Sequence, residues 1–243
     1  MKILAPCLYP DEKPLWYLKQ TAARFIIEMI PYGVGKPMLS YFDAKVTNLI
    51  ETLERLPDDL YLHCDGSDCL LQAHPQAAYN KITKGKGEIV VSGNARCVPF
   101  YGMNDLKRDV EAVLRRRAPQ GALFPYCCAG VFMGPRRELL SALRDIVAMR
   151  ETSPHASNYG FYNNDQGWWQ LLIAEGKHDI VIDYGTSLAV SLNAYRNFWS
   201  KIAGGRLVMH TGAIPAIIHC NGPKPKKHIW PLLLEALNLC PCQ

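Results

Sequence analysis

Short apolar runs alternate with longer stretches of helical periodicity along most of this chain. The apolar runs have the length of buried strands and cover residues 2–8, 60–64, 88–93, 180–183 and 216–219. Apolar residues recur every three or four positions in the stretches between them, which are 15–30, 41–55, 74–82, 104–117, 135–150 and 165–175. Strands that alternate with helices form a mostly parallel sheet with helices on both faces. The sequence therefore predicts an α/β fold, in which ligands bind at the carboxyl ends of strands.

The length and hydropathy of the chain indicate one domain without a membrane span. The 243 residues suit a single large α/β domain. No stretch reaches the roughly 18 apolar residues that a membrane helix needs. The apolar run before Pro6 is too short for the central region of a secretory signal peptide. We therefore expect a single domain over 1–243, located in the cytoplasm and without a membrane partner.

The cysteine content and the net charge limit the kinds of site that the chain could contain, but neither identifies a particular site. The nine cysteines are odd in number and irregularly spaced, which favours buried thiols over a disulfide framework or a zinc site. The closest pairs are Cys127 with Cys128 and Cys240 with Cys242. The formal net charge is +5, with basic clusters at 115–117, 136–137 and 224–227. Such clusters are typical of solvated faces, and they also suit a protein that handles a diphosphate or a polyanionic acceptor.

Two carboxylates come directly after the apolar run 60–64. Asp65 ends the run, and Asp68 follows three residues later across a turn that contains a glycine. Two carboxylates on such a turn can share one hard divalent cation and leave coordination positions for phosphate oxygens. His219 ends the last apolar run, and an imidazole beside two carboxylates suits manganese. A plain polar turn at Asp65 and a hydrogen-bonded rim histidine at His219 remain alternatives.

A series of short motifs follows one another along nearly the whole chain. They are Lys45 in a helical stretch, Asp-x-x-Asp at 65–68, Ser-x-x-x-x-Cys-x-Pro at 92–99, Tyr-Cys-Cys-Ala-Gly-Val-Phe-Met-Gly at 126–134, Asn-Asp-Gln at 164–166, Asp183 at the end of a strand, and His-Cys-Asn-Gly-Pro at 219–223. In this order they resemble the motifs of the glycosyltransferase domain of the procollagen lysyl hydroxylases and their relatives.

The resemblance implies a GT-A fold, which is a Rossmann-like and mostly parallel central sheet flanked by helices, with a UDP-sugar as donor and Mn²⁺ (or Mg²⁺) as cofactor. It implies that the metal is held by Asp65, Asp68 and His219. The residues expected to contact the donor are Lys45, Asp65, Gly66, Asn221, Gly222 and Lys224. The residues expected to face the sugar or the acceptor are Asn164, Asp165 and Gln166. We expect the nucleotide-binding half to cover about 1–100 and the acceptor and sugar half about 101–243.

The segment that begins at Asp165 has more than one interpretation. Asp165 is a candidate base for the acceptor hydroxyl, or a carboxylate that stabilises positive charge on the sugar. A helix N-terminal aspartate that is favoured by the helix dipole explains it equally well. Trp168 and Trp169 follow closely, and one of them could form a platform for an acceptor ring, while core packing is expected for at least the other.

The departures from the family fall where such enzymes contact the sugar and the acceptor. The family's Asn-Ser-Gly is replaced by Cys-Cys-Ala at 127–129, and the first residue of its Asp-Asp-Gln is replaced by Asn164. The Glu of the family's Ser-Ala-Glu and the Trp of its Cys-Trp-Pro are missing at 92–99. Neither sugar nor acceptor can therefore be carried over, and the missing signal peptide disfavours collagen as acceptor.

Three functions remain open. The first is a transferase that acts on a hydroxylated protein, a glycan or a small molecule. The second is a virus-type transferase that decorates hydroxymethylated bases in DNA, with phosphates along the basic segments 81–86 and 115–117 and an extruded base stacked near Asp165. The third is a non-catalytic sugar-nucleotide-binding protein of the same fold. The oligomeric state does not follow from the sequence.

Overall fold

The structure is a computed structural model that describes residues 1–7, 9–36, 40–155, 157–193 and 199–239. The cysteine pair Cys240 and Cys242 lies outside the described residues. Within them, no helix is both long enough and apolar enough to cross a membrane. The seven described cysteines are all buried free thiols, as the irregular spacing predicts.

Eleven strands lie in the described part of the chain. They are β1 (Lys2–Pro6), β2 (Met29–Tyr32), β3 (Leu60–Cys64), β4 (Cys69–Leu71), β5 (Ile89–Asn94), β6 (Tyr126–Pro135), β7 (Ile180–Asp183), β8 (Ala189–Ser191), β9 (Trp199–Ala203), β10 (Arg206–Met209) and β11 (Ile217–His219). Nine of them form one sheet in the order β2-β1-β3-β6-β5-β8-β11-β4, with β7 also paired to β5. Strands β9 and β10 form a separate antiparallel hairpin.

Helices connect most of these strands. They are α1 (Trp16–Ala23), α2 (Asn48–Glu54), α3 (Pro75–Thr83), α4 (Asn104–Arg117), α5 (Arg136–Thr152), α6 (Tyr159–Tyr162), α7 (Asp165–Glu175), α8 (Pro223–His228) and α9 (Trp230–Ala236). A short 3-10 turn over Lys13–Leu15 leads into α1, and a π-helical turn over Asp43–Thr47 leads into α2. Helix α4, helix α7 and strand β7 begin and end where the sequence predicts.

The main sheet is mostly parallel, and this confirms the predicted fold class. The parallel pairs are β1 with β2, β1 with β3, β5 with β7, β5 with β8, and β8 with β11. Strand β6 runs antiparallel between β3 and β5, and β4 runs antiparallel to β11. The sheet is curled, and the carboxyl ends of β3 and β11 meet at the middle of β6. This meeting point is where the candidate site lies.

The predicted helix over 15–30 is wrong in its second half. Helix α1 ends at Ala23, and Ile26 takes a positive φ of 56° with 96% of its surface exposed. The chain then forms β2, which pairs in parallel with β1. Residues with helical spacing therefore form a strand here, because pairing with a neighbouring strand outweighs the local helical periodicity.

Besides β2, the sequence analysis did not identify strands β4, β6, β8, β9 and β10. Strand β6 is the longest of those described and is buried along almost its whole length. Its segment 127–130 reads Cys-Cys-Ala-Gly, and alanine and glycine have little preference for strands. Its place in the centre of the sheet comes from its two neighbours rather than from its own residue pattern.

Helices cover both faces of the sheet and bury its apolar side chains. One face packs against α2, α4, α5 and α7, and the other packs against α1 and α3. Trp168 and Trp169 are each 1% exposed and belong to the first of these cores, so neither forms a platform for an acceptor. A third cluster joins α9 to the β9–β10 hairpin and to the β8–β11 edge of the sheet.

Candidate functional site

The turn 65–68 is fixed by backbone hydrogen bonds to two other parts of the sheet. The amide of Asp65 donates to the carbonyl of Gly130 on β6 at 2.8 Å, and the amide of Cys220 donates to the carbonyl of Asp68 at 2.8 Å. Gly66 lets the turn approach β1, since a β carbon there would lie 2.9 Å from the carbonyl oxygen of Pro6. The turn that follows β3 is therefore held in one place.

His219 lies between the two carboxylates of this turn. Its Nε2 is 3.3 Å from Oδ2 of Asp65 and 3.4 Å from Oδ1 of Asp68. Its Nδ1 is 3.6 Å from the sulfur of Cys128. The structure thus brings together the three metal-ligand candidates, although about 150 residues of sequence separate His219 from the two aspartates.

The opposite charges in this cluster stabilise one another's ionised forms. Burial alone would lower the pKa of His219, but Asp68, Cys128 and Asp65 together raise it well above the usual value. Burial alone would raise the pKa of Asp65, but Lys45, His219 and His63 hold it well below its usual range. These charges keep the carboxylates of Asp65 and Asp68 ionised, and the imidazole would have to lose its proton in order to ligate a cation.

The unpaired atoms of the cluster fit a cation. Among the described residues, His219 Nε2 and Asp68 Oδ1 are buried and make no hydrogen bond, although they lie 3.4 Å apart. Buried polar atoms of this kind usually have partners, so those without one point to a missing ligand. Two carboxylates and an imidazole are a donor set that suits Mn²⁺ and, through the oxygens, Mg²⁺.

Cys69 is a further ligand candidate that the sequence did not indicate. It lies opposite His219 in the pairing of β4 with β11, and the ligand atoms of Asp68, Cys69 and His219 lie within 4.8 Å of one another. Burial raises the pKa of the Cys69 thiol well above its usual value, so the sulfur stays protonated. A neutral thiol is a poor ligand for a hard cation, and Asp65 suits that role better.

Lys45 lies between Asp65 and Asp165. Its Nζ is 2.6 Å from Oδ1 of Asp65 and 3.7 Å from Oδ2 of Asp165. Burial alone would lower the pKa of Lys45, but Asp165 and Asp65 raise it. Burial raises the pKa of Asp165, and the lysine opposes this only in part. Lys45 therefore links the metal-ligand candidates to the candidate acceptor carboxylate.

The start of α7 holds the three residues expected to face the sugar or acceptor. Asn164 caps the helix by accepting a hydrogen bond from the amide of Gln166 at 3.0 Å. The side chain of Gln166 donates to the carbonyl of Val98 at 2.5 Å. Asp165 is 5% exposed and occupies the first turn of the helix, which also fits the dipole interpretation. All three residues line the same cavity.

The segment after β11 begins with Asn221 and Gly222. The Asn221 side-chain oxygen accepts from the Ser191 hydroxyl at 3.0 Å and from the Asn193 amide at 2.9 Å. Gly222 has a φ of 88°, a conformation that side chains rarely adopt, and it caps α8. This turn places α8 beside the turn 65–68.

Helix α8 brings a different lysine to the carboxylates from the one in the predicted donor set. Both Lys224 and Lys226 are exposed on this short helix, and Nζ of Lys226 is 2.9 Å from Oδ2 of Asp68. The sequence analysis predicts that Lys224 contacts the donor, and that prediction stays untested. The geometry favours Lys226 for a charge beside Asp68.

Two cavities meet at the cluster and share Tyr41, Lys45 and Asp65. The larger has a volume of about 600 Å³ and extends over the start of α7, Gly130, His219 and Asn221. The smaller has a volume of about 200 Å³ and lies between the end of β1, the turn 65–68 and α8. The metal-ligand candidates thus stand between two spaces of different size.

His63 and Gly130 are features of the site that the sequence analysis did not identify as functional. The ring of His63 is buried, stacks on Phe132 with centroids 4.4 Å apart, and directs Nε2 toward Asp65 Oδ1 at 3.8 Å. A β carbon on Gly130 would lie 2.8 Å from Oδ2 of Asp65. The only sequence signal was indirect: His63 is a polar residue inside an apolar run, and Gly130 belongs to a quoted motif.

No protein-family model matches the sequence, and no curated protein matches it either. Among solved structures, the chain is similar to a glycosyltransferase involved in the glycosylation of the major capsid of PBCV-1. That superposition has a TM-score of 0.53 and 12% sequence identity, and it covers 93% of this chain and 95% of the other.

A second similar structure is glucosyl-3-phosphoglycerate synthase from Mycobacterium tuberculosis in complex with Mn²⁺, UDP and phosphoglyceric acid. Its TM-score is 0.37 at 14% identity, over 72% of this chain and 78% of the other, which is too distant to support an argument. The first comparison, together with the sheet order, shows that this chain has the GT-A fold found in glycosyltransferases.

Proposed function

We propose that this protein is a metal-dependent glycosyltransferase that moves a sugar from a UDP-sugar to a hydroxyl group of an acceptor. The observation that carries the proposal is the cluster of Asp65, Asp68 and His219, in which His219 Nε2 lies 3.3 Å from one carboxylate and 3.4 Å from the other, between two cavities at the strand ends of a GT-A fold. Ligands bind at this edge of open α/β sheets.

The smaller cavity is the proposed place for the nucleotide and its diphosphate. It is bordered by Gly66, by Asp68 and by the ammonium of Lys226. Tyr9 at its wall is 48% exposed and offers an aromatic surface to a base. Asn221, Gly222 and Lys224 lie at the start of α8, where we propose that they contact the donor as the sequence predicts.

The larger cavity is the proposed place for the sugar and the acceptor. In the reaction, the acceptor oxygen forms a bond to the anomeric carbon, and the bond from that carbon to the phosphate oxygen breaks with its electron pair going to UDP. A divalent cation held by Asp65, Asp68 and His219 would neutralise charge on the departing diphosphate. Asp165 would accept the hydroxyl proton, with Asn164 and Gln166 orienting the reacting groups.

Lys45 and Lys226 have distinct parts in this scheme. Lys45 contacts both Asp65 and Asp165, so it holds these carboxylates at a fixed separation. Lys226 pairs with Asp68, and a phosphate oxygen is an alternative partner for its ammonium. Positive charge that is already in place costs no reorganisation when negative charge develops on the leaving group.

Two finer assignments belong to the same proposal. The order of motifs along the chain leads us to propose kinship with the glycosyltransferase domain of the procollagen lysyl hydroxylases. We also propose that about 1–100 bind the nucleotide and about 101–243 bind the sugar and acceptor. The ligand set draws on both halves, because His219 comes from the second and Asp65 and Asp68 come from the first.

Calorimetric titration of UDP, with and without Mn²⁺, tests the proposal. The wild type should bind UDP more tightly with Mn²⁺, and Asp65→Ala/Asp68→Ala should abolish this gain. The matched control is Asp105→Ala/Asp109→Ala, which also removes two carboxylates but from the exposed surface of α4, and it should bind as the wild type does.

Two results would contradict the assignment. A folded wild type that binds no UDP with Mn²⁺ would exclude uridine nucleotides, and other nucleoside diphosphates would then be titrated in the same way. A double variant that keeps the full Mn²⁺-dependent gain would exclude Asp65 and Asp68 as ligands.

A further inference from the structure

Tyr101 is an exposed aromatic residue at the mouth of the larger cavity. Its side chain is 57% exposed and forms part of the cavity wall. The residue takes a positive φ of 24° and precedes Gly102, whose φ is 84°, in the turn between β5 and α4. A positive φ is uncommon for a tyrosine and persists only where the surroundings hold the backbone in place.

The surroundings of Tyr101 hold both its ring and its backbone. A β carbon on Gly160 would lie 3.0 Å from Cδ2 and 3.2 Å from Cγ of the Tyr101 ring, so the ring packs directly on the backbone of α6. The side chain of Asn158 donates to the carbonyl of Tyr101 at 2.8 Å, and its oxygen caps α6 by accepting from the amide of Phe161. The ring is therefore supported from one side and open on the other.

Beside its charged side chains, this cavity is lined by five amide side chains. They belong to Asn104, Asn164, Gln166, Asn193 and Asn221. An amide both donates and accepts hydrogen bonds, which matches the hydroxyl groups of a sugar. A supported aromatic ring matches the apolar C–H face of a pyranose, and a site of this kind combines an apolar surface with a few polar groups that fix orientation.

The charges of the cavity do not suit a polyanion. Lys45 is paired with Asp65 and Asp165, and His219 is paired with Asp65 and Asp68. Lys107 lies 3.9 Å from Glu111. None of the described residues that line the cavity comes from the basic segments 81–86 or 115–117. Nucleic acid binding relies on cations that are free to contact phosphates.

We propose that Tyr101 is a stacking platform for the acceptor, and that the acceptor is a neutral saccharide whose reactive hydroxyl points toward Asp165. This proposal rests on the transferase function and names its acceptor class. It distinguishes a glycan from hydroxymethylated DNA, which has the same reactive hydroxyl group but carries a charge on every phosphate.

The test uses the full chain with Mn²⁺ and a UDP-sugar that the wild type accepts. The acceptors are a panel of neutral mono- and oligosaccharides and a duplex that contains hydroxymethylated cytosine, and saccharide binding is also measured on a glycan array. Tyr101→Ala should raise the KM for saccharides about tenfold, the usual size of one aromatic contact, while the Kd of UDP stays unchanged. Tyr101→Phe keeps the ring and should keep the wild-type KM.

Tyr159→Ala is the matched control, since Tyr159 is 75% exposed but does not line the cavity, and it should transfer as the wild type does. An unchanged saccharide KM in Tyr101→Ala would overturn the platform. A wild type that binds UDP but neither binds nor glycosylates any saccharide, with or without activity on the duplex, would overturn the acceptor class and leave the transferase function standing. A wild type that binds no UDP contradicts the uridine donor of the proposed function, and the array comparison of wild type with Tyr101→Ala then still decides the platform.

Discussion

Gly130 and His219 are packed so closely that no side chain fits between them. A β carbon on Gly130 would lie 2.7 Å from Nδ1 of His219, closer than real β carbons approach other atoms. The same β carbon would lie 2.8 Å from Oδ2 of Asp65. The missing side chain in the middle of β6 is therefore what lets an imidazole from β11 and a carboxylate from the turn after β3 face each other across the strand.

Gly130→Ala should disrupt the metal site while leaving the sheet intact. The new methyl group must displace His219 and Asp65, and ligands displaced by this much cannot share one cation. We expect the affinity for Mn²⁺ to fall at least about tenfold, comparable with losing a partner that orients a ligand. Electron paramagnetic resonance of free Mn²⁺ measures this directly.

The control for Gly130→Ala is Gly134→Ala on the same strand. Gly134 lies near the other end of β6, where a β carbon would lie 3.1 Å from Cγ1 and 3.3 Å from Cα of the buried Ile89 on β5 rather than against a metal-ligand candidate. That variant should bind Mn²⁺ as the wild type does. Equal Mn²⁺ affinity in Gly130→Ala and the wild type would show that His219 and Asp65 do not form the metal site together.

Lys226→Ala should weaken UDP binding more than Lys224→Ala does. Both lysines are exposed, but Lys226 lies 2.9 Å from Asp68 at the edge of the smaller cavity, which Lys224 does not line. A hydrogen bond to a charged group contributes about 1.5–3 kcal/mol, so loss of Lys226 should raise the Kd of UDP at least about tenfold. Isothermal titration with Mn²⁺ present compares the two variants.

Binding of Mn²⁺ in the absence of nucleotide provides a second comparison of Lys226→Ala with Lys224→Ala. In the metal-free protein Lys226 competes with a cation for Asp68, so Lys226→Ala should bind Mn²⁺ alone at least as tightly as the wild type. A larger loss of UDP affinity in Lys224→Ala would support the lysine named by the sequence and contradict the one named by the geometry.

The sequence predicts those helices and strands whose signals lie within the element itself. Helix α7 carries its own start signal, Asn164 as the cap and Asp165 in the first turn, and its end signal, Gly176 with a φ of 74°. Asp65 and His219 are equally local signals, because each ends an apolar run and strand ends at this edge of an α/β sheet form ligand sites.

The parts that the sequence could not predict depend on contacts between distant segments. Strand β2 has helical spacing and becomes a strand only by pairing with β1. Gly130 and His63 matter because of what lies against them in space, namely His219 for the first and Asp65 for the second. The contact of Lys226 with Asp68 depends on the direction in which α8 leaves Gly222, which no residue pattern specifies.

Asp165→Asn should remove most of the activity and change its dependence on pH. An acceptor base acts only when ionised, and general base catalysis contributes about 10²–10⁴-fold. Burial raises the pKa of Asp165, so the wild-type kcat/KM should increase as pH rises through a value above the usual one for aspartate. The residual activity of Asp165→Asn should lack this acidic limb, which a pH–rate profile at saturating Mn²⁺ and donor measures.

A rise in pH should lower the contribution of Asp165 to the stability of the folded protein, although it should raise the activity. Because the folded pKa is raised, the folded state holds this proton more tightly than the unfolded state does. Its contribution to stability is present at low pH and is lost as pH rises through the raised pKa. Asp109→Asn, on the exposed face of α4, should change neither profile. An intact acidic limb in Asp165→Asn would assign that limb to another group.

Gln72→Leu should destabilise the protein by separating the β9–β10 hairpin from the sheet. The buried amide of Gln72 donates to the carbonyls of Leu207 at 3.0 Å and Pro215 at 2.7 Å, and accepts from the amide of Leu207 at 2.8 Å. Leucine is similar in size but leaves these buried backbone groups without partners, at a cost of about 1–3 kcal/mol each.

We expect the free energy of unfolding in urea to fall by about 3 kcal/mol in Gln72→Leu. Gln120→Leu, at an exposed position, is the control and should stay within about 0.5 kcal/mol of wild type. A loss below about 1 kcal/mol would mean that the hairpin is held by the apolar contacts of Leu207 and α9 rather than by this amide.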